Sequence, residues 1–115
     1  MANSHCARAI YWRAKPGRLE DYTAYLRTVV EPIDQAALHR GDLLSFTTLI
    51  DASATAAWTH MRLFTFENPT QRANMVASLA QAAASLTPDA HERAARAAHA
   101  ATLREQVGEA DFDLL

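Results

Sequence analysis

The stretch from Ala57 to Phe66, Ala-Trp-Thr-His-Met-Arg-Leu-Phe-Thr-Phe, constrains the fold of this chain more than any other segment. It is rich in aromatic and β-forming residues and contains neither Gly nor Pro, which predicts a β-strand. Successive side chains of a strand point to opposite faces. The side chains expected on one face are Trp58, His60, Arg62, Phe64 and Phe66. Large aromatics beside an imidazole and a guanidinium are costly to bury without partners, so this face is the candidate functional surface.

The first forty residues predict a strand followed by a helix. Residues 5–14 are expected to form the strand, which Lys15-Pro16-Gly17 ends. From about Arg18 onward, apolar residues recur at three- and four-residue intervals, which is typical of an amphipathic helix with one buried stripe. Pro32 should break or kink this helix, and the segment to Leu38 is expected to continue as a short helical piece before a turn.

A second strand is predicted from Leu43 to Ile50. The small and polar residues 51–55 suit a hairpin connection into the strand of Ala57–Phe66. Strands joined by so short a connection are expected to be antiparallel neighbours.

Two helices are predicted in the second half of the chain. Asn68 can cap the first of them, which is expected to run from Pro69 to about Leu86. Thr87-Pro88-Asp89 begins the second, which is expected to end near Val107 because Gly108 follows. The alternating residues 111–115 suit either a last edge strand or a tail that docks on a partner.

This order of elements predicts an α+β protein in which a small antiparallel sheet has helices on one face. At 115 residues the chain is expected to form a single domain, residues 1–115. The opposite sheet face would expose an unusually large apolar patch for a soluble monomer. The simplest way to cover it is a second copy, sheet against sheet, in a two-fold homodimer.

Charge and composition narrow the function classes. The net charge of −2 gives no electrostatic reason to expect binding to nucleic acid or to an anionic membrane. No apolar stretch approaches the roughly 20 residues that span a bilayer, and no signal peptide pattern is visible. The single cysteine, Cys6, cannot form an internal disulfide, which fits a reducing compartment. A cytoplasmic protein is therefore expected.

Three short motifs resemble a known family. The first strand ends in Lys-Pro-Gly-Arg, the first helix contains Leu-Glu-Asp-Tyr-Thr-Ala-Tyr-Leu, and a later strand ends in Phe-Thr-Phe-Glu-Asn before a helix that contains Arg72. Over about residues 7–75 the chain resembles the dimeric α+β barrel proteins, and within them the NIPSNAP-like branch. The resemblance implies a ferredoxin-like sheet, a homodimer, and a ligand cavity between sheet and helices or inside the joint barrel. These proteins include cofactor-free monooxygenases, polyketide cyclases, dehydratases, haem-degrading enzymes and members with no known activity. From this resemblance we expect a biosynthetic, cofactor-independent enzyme, such as a cyclase, isomerase, dehydratase or monooxygenase.

Six residues are candidates for the site. His60 is the expected general acid or base, because an imidazole titrates near neutral pH, and Arg62 would stabilise an enolate. A bound aromatic or polyketide-like compound would then lose a proton from an acidic carbon. The residues expected to contact this substrate are Trp58, Tyr11, Phe64 and Arg13.

Structural alternatives exist for these residues. The alternative for His60 is a hydrogen bond to a backbone carbonyl at a dimer interface, and the alternative for Arg62 is an ion pair with Glu67 or Asp51. The aromatic residues would then be core or interface. In that case the chain is a non-catalytic ligand-binding or structural homodimer.

No metal or other cofactor is expected from the sequence. His5 and Cys6 are adjacent, so on a strand they point to opposite faces. His91 and His99 are eight residues apart on a predicted helix, too far to share one ion. The expected partners are a second copy of the chain and a small hydrophobic molecule.

Overall fold

The computed structural model describes residues 5–53 and 55–115. Its strands are β1 (Cys6–Ala14), β2 (Ser45–Ile50), β3 (His60–Phe66) and β4 (Arg104–Asp113). Its helices are α1 (Leu19–Tyr25), α2 (Glu31–His39), α3 (Pro69–Ala73), α4 (Met75–Leu86) and α5 (Ala90–Leu103). A π-helical turn, Leu26–Val30, joins α1 to α2.

The four strands form one antiparallel sheet in the order β2-β3-β1-β4. Within it Arg62 lies opposite Ile10, and His60 lies opposite Trp12. The helices cover one face, where Phe64 and Phe66 pack in the core with Ala37 and Ala82. This confirms the predicted α+β class, a ferredoxin-like sheet with helices on one face.

The side chains on the opposite face of the sheet do not pack in this core. By strand alternation it contains Tyr11, Leu49, Leu63 and Phe112. Leu49 is 41% exposed and Phe112 is 46% exposed. We call this surface the open face. No helix within residues 5–53 or 55–115 is long and apolar enough to cross a membrane.

Pro32 does not end the first helical segment. The Glu31 N–H bonds to the carbonyl of Leu26, five residues back, so the helix widens into the π-helical turn just before the proline. Helix α2 then resumes with Pro32 in its first turn, where the missing N–H needs no partner within the helix. The short helical continuation that the sequence predicts is therefore present.

The predicted strand Ala57–Phe66 is three residues too long. Strand β3 begins at His60, and Trp58 lies in the connection before it. The Trp58 ring packs against Tyr11, with ring centroids 5.9 Å apart. The expectation that Trp58 shares a strand face with His60 is thus wrong. Ala54, within the predicted hairpin connection 51–55, lies outside the described residues.

The predicted end of the last helix near Val107 is also wrong. Helix α5 ends at Leu103, and the next ten residues form β4 along β1. Gly108 does not stop a helix; it lies opposite Tyr11 beside a register shift in the sheet, and a Cβ there would be 3.6 Å from the tyrosine ring. Pairing with β1 overrides the local helical preference of this segment.

Candidate functional site

A cavity of about 800 Å³ lies between the helix-covered face of the sheet and the helices. Most of its wall is apolar, with side chains from the sheet, the π-helical turn, α2, α4 and α5. The apolar residues that line it include Ile10, Val29, Val30, Ile33, Phe64, Leu79, Ala83 and Ala100. The volume and lining are those of a site for a small molecule of drug-like size.

A buried ion pair lies in this apolar wall. The Nη2 group of Arg62 donates a hydrogen bond to Oδ2 of Asp34. Arg62 Nε donates to Oγ1 of Thr48 at 3.1 Å, and its guanidinium carbon lies 5.0 Å from the centroid of the Phe64 ring. Asp34 is 1% exposed and Arg62 is 5% exposed. Asp34 and Arg62 both line the cavity, so a charged pair lies in its wall.

Burial changes the proton affinity of this carboxylate. Desolvation raises the pKa of Asp34 to about 6, although the neighbouring Arg62 guanidinium acts in the opposite direction. A carboxyl group that titrates near neutral pH can accept and return a proton under physiological conditions. Asp34 is therefore the group in this cavity that best fits acid–base chemistry.

Sequence analysis missed Asp34, although a signal for it exists. Asp34 follows Val30 by four residues and Leu26 by eight, so it lies on the buried stripe of the helical segment. A carboxylate on an apolar stripe needs a partner. That partner is Arg62. The alternative prediction that Arg62 pairs with Glu67 or Asp51 is therefore wrong.

His60 is fully buried in the described structure, and it is not among the cavity-lining residues. Its Nε2 lies 2.9 Å from Oγ1 of Thr23, and its Nδ1 lies 2.8 Å from Oγ1 of Thr59. The Thr23 hydroxyl donates to the carbonyl of Leu19, so its oxygen is left to accept from Nε2–H. A neutral imidazole therefore has a partner for both ring nitrogens.

The surroundings of His60 keep it uncharged. Desolvation and the positive charge of Arg62 lower the pKa of His60 to about 4. The ring of Tyr22 packs edge-on against the imidazole, with ring centroids 4.5 Å apart. The geometry thus favours a structural role for His60. Its partners are the threonine hydroxyls of its own chain rather than a backbone carbonyl at a dimer interface.

The structure separates the six predicted site residues into two groups. Arg62 and Phe64 line the cavity, with His60 buried beside them. The other three residues, Tyr11, Arg13 and Trp58, lie on the other side of the sheet. Arg13 Nη2 there donates to the carbonyl of Ala57 at 2.6 Å.

A second cation in the cavity wall comes from the junction of α5 and β4. The Arg104 guanidinium carbon lies 3.8 Å from the centroid of the Trp12 ring and 5.4 Å from that of Tyr22. Arg104 Nη1 also donates to the Tyr22 hydroxyl at 3.1 Å. Arg104 and Trp12 both line the cavity. Sequence analysis placed Arg104 inside a helix, so it could not associate this residue with the sheet.

Within the part of the chain that the structure describes, no group of three or more His, Cys, Asp or Glu side chains is arranged to hold a metal ion. Cys6 is a free, buried thiol in the core with Phe64 and Phe66.

Known structures share the arrangement of sheet and helices. MupZ from Pseudomonas fluorescens is 14% identical with a TM-score of 0.62, and the match covers 96% of this chain and 69% of MupZ. HapK from Hahella chejuensis is 14% identical with a TM-score of 0.62, covering 96% of this chain and 92% of HapK. A conserved Bacteroides thetaiotaomicron protein of unknown function, described as a possible oxidoreductase, is 17% identical with a TM-score of 0.56, covering 98% and 100%.

The likeness extends to the predicted ferredoxin-like sheet with helices on one face, and membership of the dimeric α+β barrel proteins stays a prediction. At these identities the likeness concerns the fold alone. No protein-family model and no curated protein matches the sequence, and membership of the NIPSNAP-like branch stays a prediction.

Proposed function

We propose that this protein is a cofactor-free enzyme of biosynthetic type that moves a proton on a hydrophobic aromatic or polyketide-like substrate. The observation that supports this most strongly is the Asp34–Arg62 pair in the wall of the apolar cavity. A general base and an electrostatic stabiliser are thereby adjacent in a site that favours flat, apolar molecules.

The proposed step uses both members of the pair. Asp34, as the carboxylate, takes a proton from a carbon next to a carbonyl group; the C–H bond breaks and its electron pair forms an enolate. Arg62 stabilises the enolate oxygen. Within the described part of the chain, two of its five N–H groups donate to Asp34 and Thr48, which leaves three for the substrate. Asp34 then returns the proton to another atom of the substrate, which completes an isomerisation or starts a cyclisation or dehydration.

A model base-sensitive substrate tests this step without knowledge of the natural one. 5-Nitrobenzisoxazole loses a proton from carbon and opens with a colour change, so it reports a base in an apolar cavity. We expect turnover to rise with pH through about 6, where Asp34 ionises. Asp34→Asn should lower the rate roughly hundredfold or more, the usual size of a general-base contribution.

His60→Gln is the matched comparison variant. This variant should keep the wild-type rate. The pH profile of the wild-type protein also separates Asp34 from His60 as the base, because with His60 as the base the rate would already be constant above pH 5. Loss of activity in His60→Gln but not in Asp34→Asn would return proton transfer to His60. Binding of the compound without turnover in the wild-type protein would favour the non-catalytic alternative.

We also infer that the open face is the contact of a two-fold homodimer. Leu49 and Phe112 are large apolar side chains left exposed on it, beside Leu63 and Tyr11. Pairing two such faces buries this surface in the way that two stacked sheets do. In this arrangement the cavity lies on the far side of each sheet, so each subunit contains its own site.

A further inference from the structure

We propose that Arg104 binds a carboxylate of the substrate, so that the substrate is an apolar acid with its reacting carbon at Asp34 and its carboxylate at Arg104. This inference rests on the proposed function, because it concerns the same cavity. It specifies the class of molecule: one with a flat hydrophobic body and a terminal negative charge.

The cavity wall contains more positively than negatively charged side chains. Four arginines line the cavity: Arg62, Arg93, Arg96 and Arg104. Arg62 is paired with Asp34, and Arg96 is paired with Glu92 at 3.2 Å. Arg104 makes no ion pair with any carboxylate among residues 5–53 and 55–115. Its neighbour Glu105 also contributes to the cavity lining. Because successive side chains of a strand point to opposite sides, the Glu105 carboxylate does not pair with the Arg104 guanidinium.

Arg93 differs from Arg104 in what it does. Its Nη1 donates to the carbonyls of Thr87 at 2.8 Å and Pro88 at 2.9 Å, which follow the end of α4. Arg93 thus satisfies backbone acceptors at the turn between α4 and α5, a structural task. Among residues 5–53 and 55–115, Arg104 instead donates to one hydroxyl, that of Tyr22. Four of its five N–H groups are thus left for a ligand.

Arg104 is also held in place before any ligand arrives. Its guanidinium stacks on Trp12 at 3.8 Å, and Trp12 lines the cavity beside it. A planar guanidinium held by an aromatic ring can bind a carboxylate through two parallel N–H donors. Because stacking fixes the guanidinium, little side-chain entropy is lost when the ligand binds.

The residues that hold the two polar groups lie close together on the sheet: Arg62 pairs with Asp34, and Trp12 stacks on Arg104. Arg62 lies opposite Ile10, two residues from Trp12 on the same face of β1. Strand spacing and rise place the Cα atoms of Trp12 and Arg62 roughly 8 Å apart. One molecule with an aromatic ring system and a short acid side chain can therefore lie along both residues.

A pair of fluorescent probes that differ only at one end tests the proposal: pyrenebutyrate, which has a carboxylate, and pyrenebutanol, which is neutral. Wild-type protein should bind pyrenebutyrate roughly tenfold to hundredfold more tightly, the value of a charge-assisted hydrogen bond. Arg104→Gln should remove this preference and leave the Kd of pyrenebutanol unchanged. Arg93→Gln, the matched control on the same wall, should keep the preference.

Each other result has a definite meaning. A wild-type protein with equal affinity for both probes, or an Arg104→Gln variant that keeps the preference, overturns the carboxylate assignment while the cavity stands. Failure of both probes to bind overturns the proposed function and this inference together. If Arg104→Gln does not fold, Arg104→Lys replaces it: it keeps the charge without the planar fork, so the preference should fall, and an unchanged preference overturns the proposal.

Discussion

Replacing His60 with Gln should change how the stability of this protein depends on pH. His60 has a pKa of about 4 in the folded protein against 6.5 in the unfolded chain. Its contribution to stability is therefore present above pH 6.5 and is lost as the pH falls through about 4. At 1.36 kcal/mol per pKa unit, the loss on acidification amounts to about 3 kcal/mol.

Asp34 acts in the opposite direction within the same pH range. Its pKa is raised from 3.8 to about 6, so its favourable contribution exists below pH 3.8 and is lost as the pH rises to about 6. The size is again about 3 kcal/mol. In the wild-type protein these two pH dependences of the stability nearly cancel between pH 4 and pH 6.5. In the His60→Gln variant only the pH dependence caused by Asp34 should remain.

The measurement is the free energy of unfolding in urea, followed by circular dichroism at pH 4, 5, 6 and 7 and at one fixed protein concentration. At pH 7 the variant should be less stable than the wild type by about 1–2 kcal/mol, because the Thr23 and Thr59 hydroxyls lose an imidazole partner. This difference should shrink as the pH falls, vanish between about pH 5 and pH 6, and be reversed at pH 4. A difference that stays constant from pH 7 to pH 4 would show that His60 titrates normally in the fold and would refute the reasoning.

Two further predictions concern the open face and a helix cap. Leu63→Glu should give a monomer that keeps its secondary structure, because the charge would lie in the middle of the proposed dimer contact. Light scattering measures the mass, and circular dichroism measures the secondary structure. A wild-type protein that is already monomeric at micromolar concentration contradicts the dimer. Asn68→Ala should cost about 1 kcal/mol in urea unfolding, because Asn68 Oδ1 accepts the Gln71 N–H at 2.9 Å; an unchanged midpoint would show that solvent replaces this cap.

Local patterns in the chain predict most of its elements. The Lys15-Pro16-Gly17 turn, the cap at Asn68 and the period of the first helix all act within a few residues, so the sequence alone reveals them. The errors occur where distant contacts override local preference. Residues 104–106 suit a helix by composition, yet they pair with β1, about ninety residues earlier in the chain.

The candidate site divides in the same way. The sequence by itself determined that a strand containing His60, Arg62 and Phe64 would bring polar groups among aromatics, because alternation along a strand is local. Only the tertiary structure decided which of these three side chains line the cavity. It placed Asp34, 28 residues before Arg62, against that guanidinium, buried His60 between two threonines, and turned Trp58 to the open face. These outcomes depend on how the helices pack on the sheet, and no periodicity within one segment encodes the position of a partner from another.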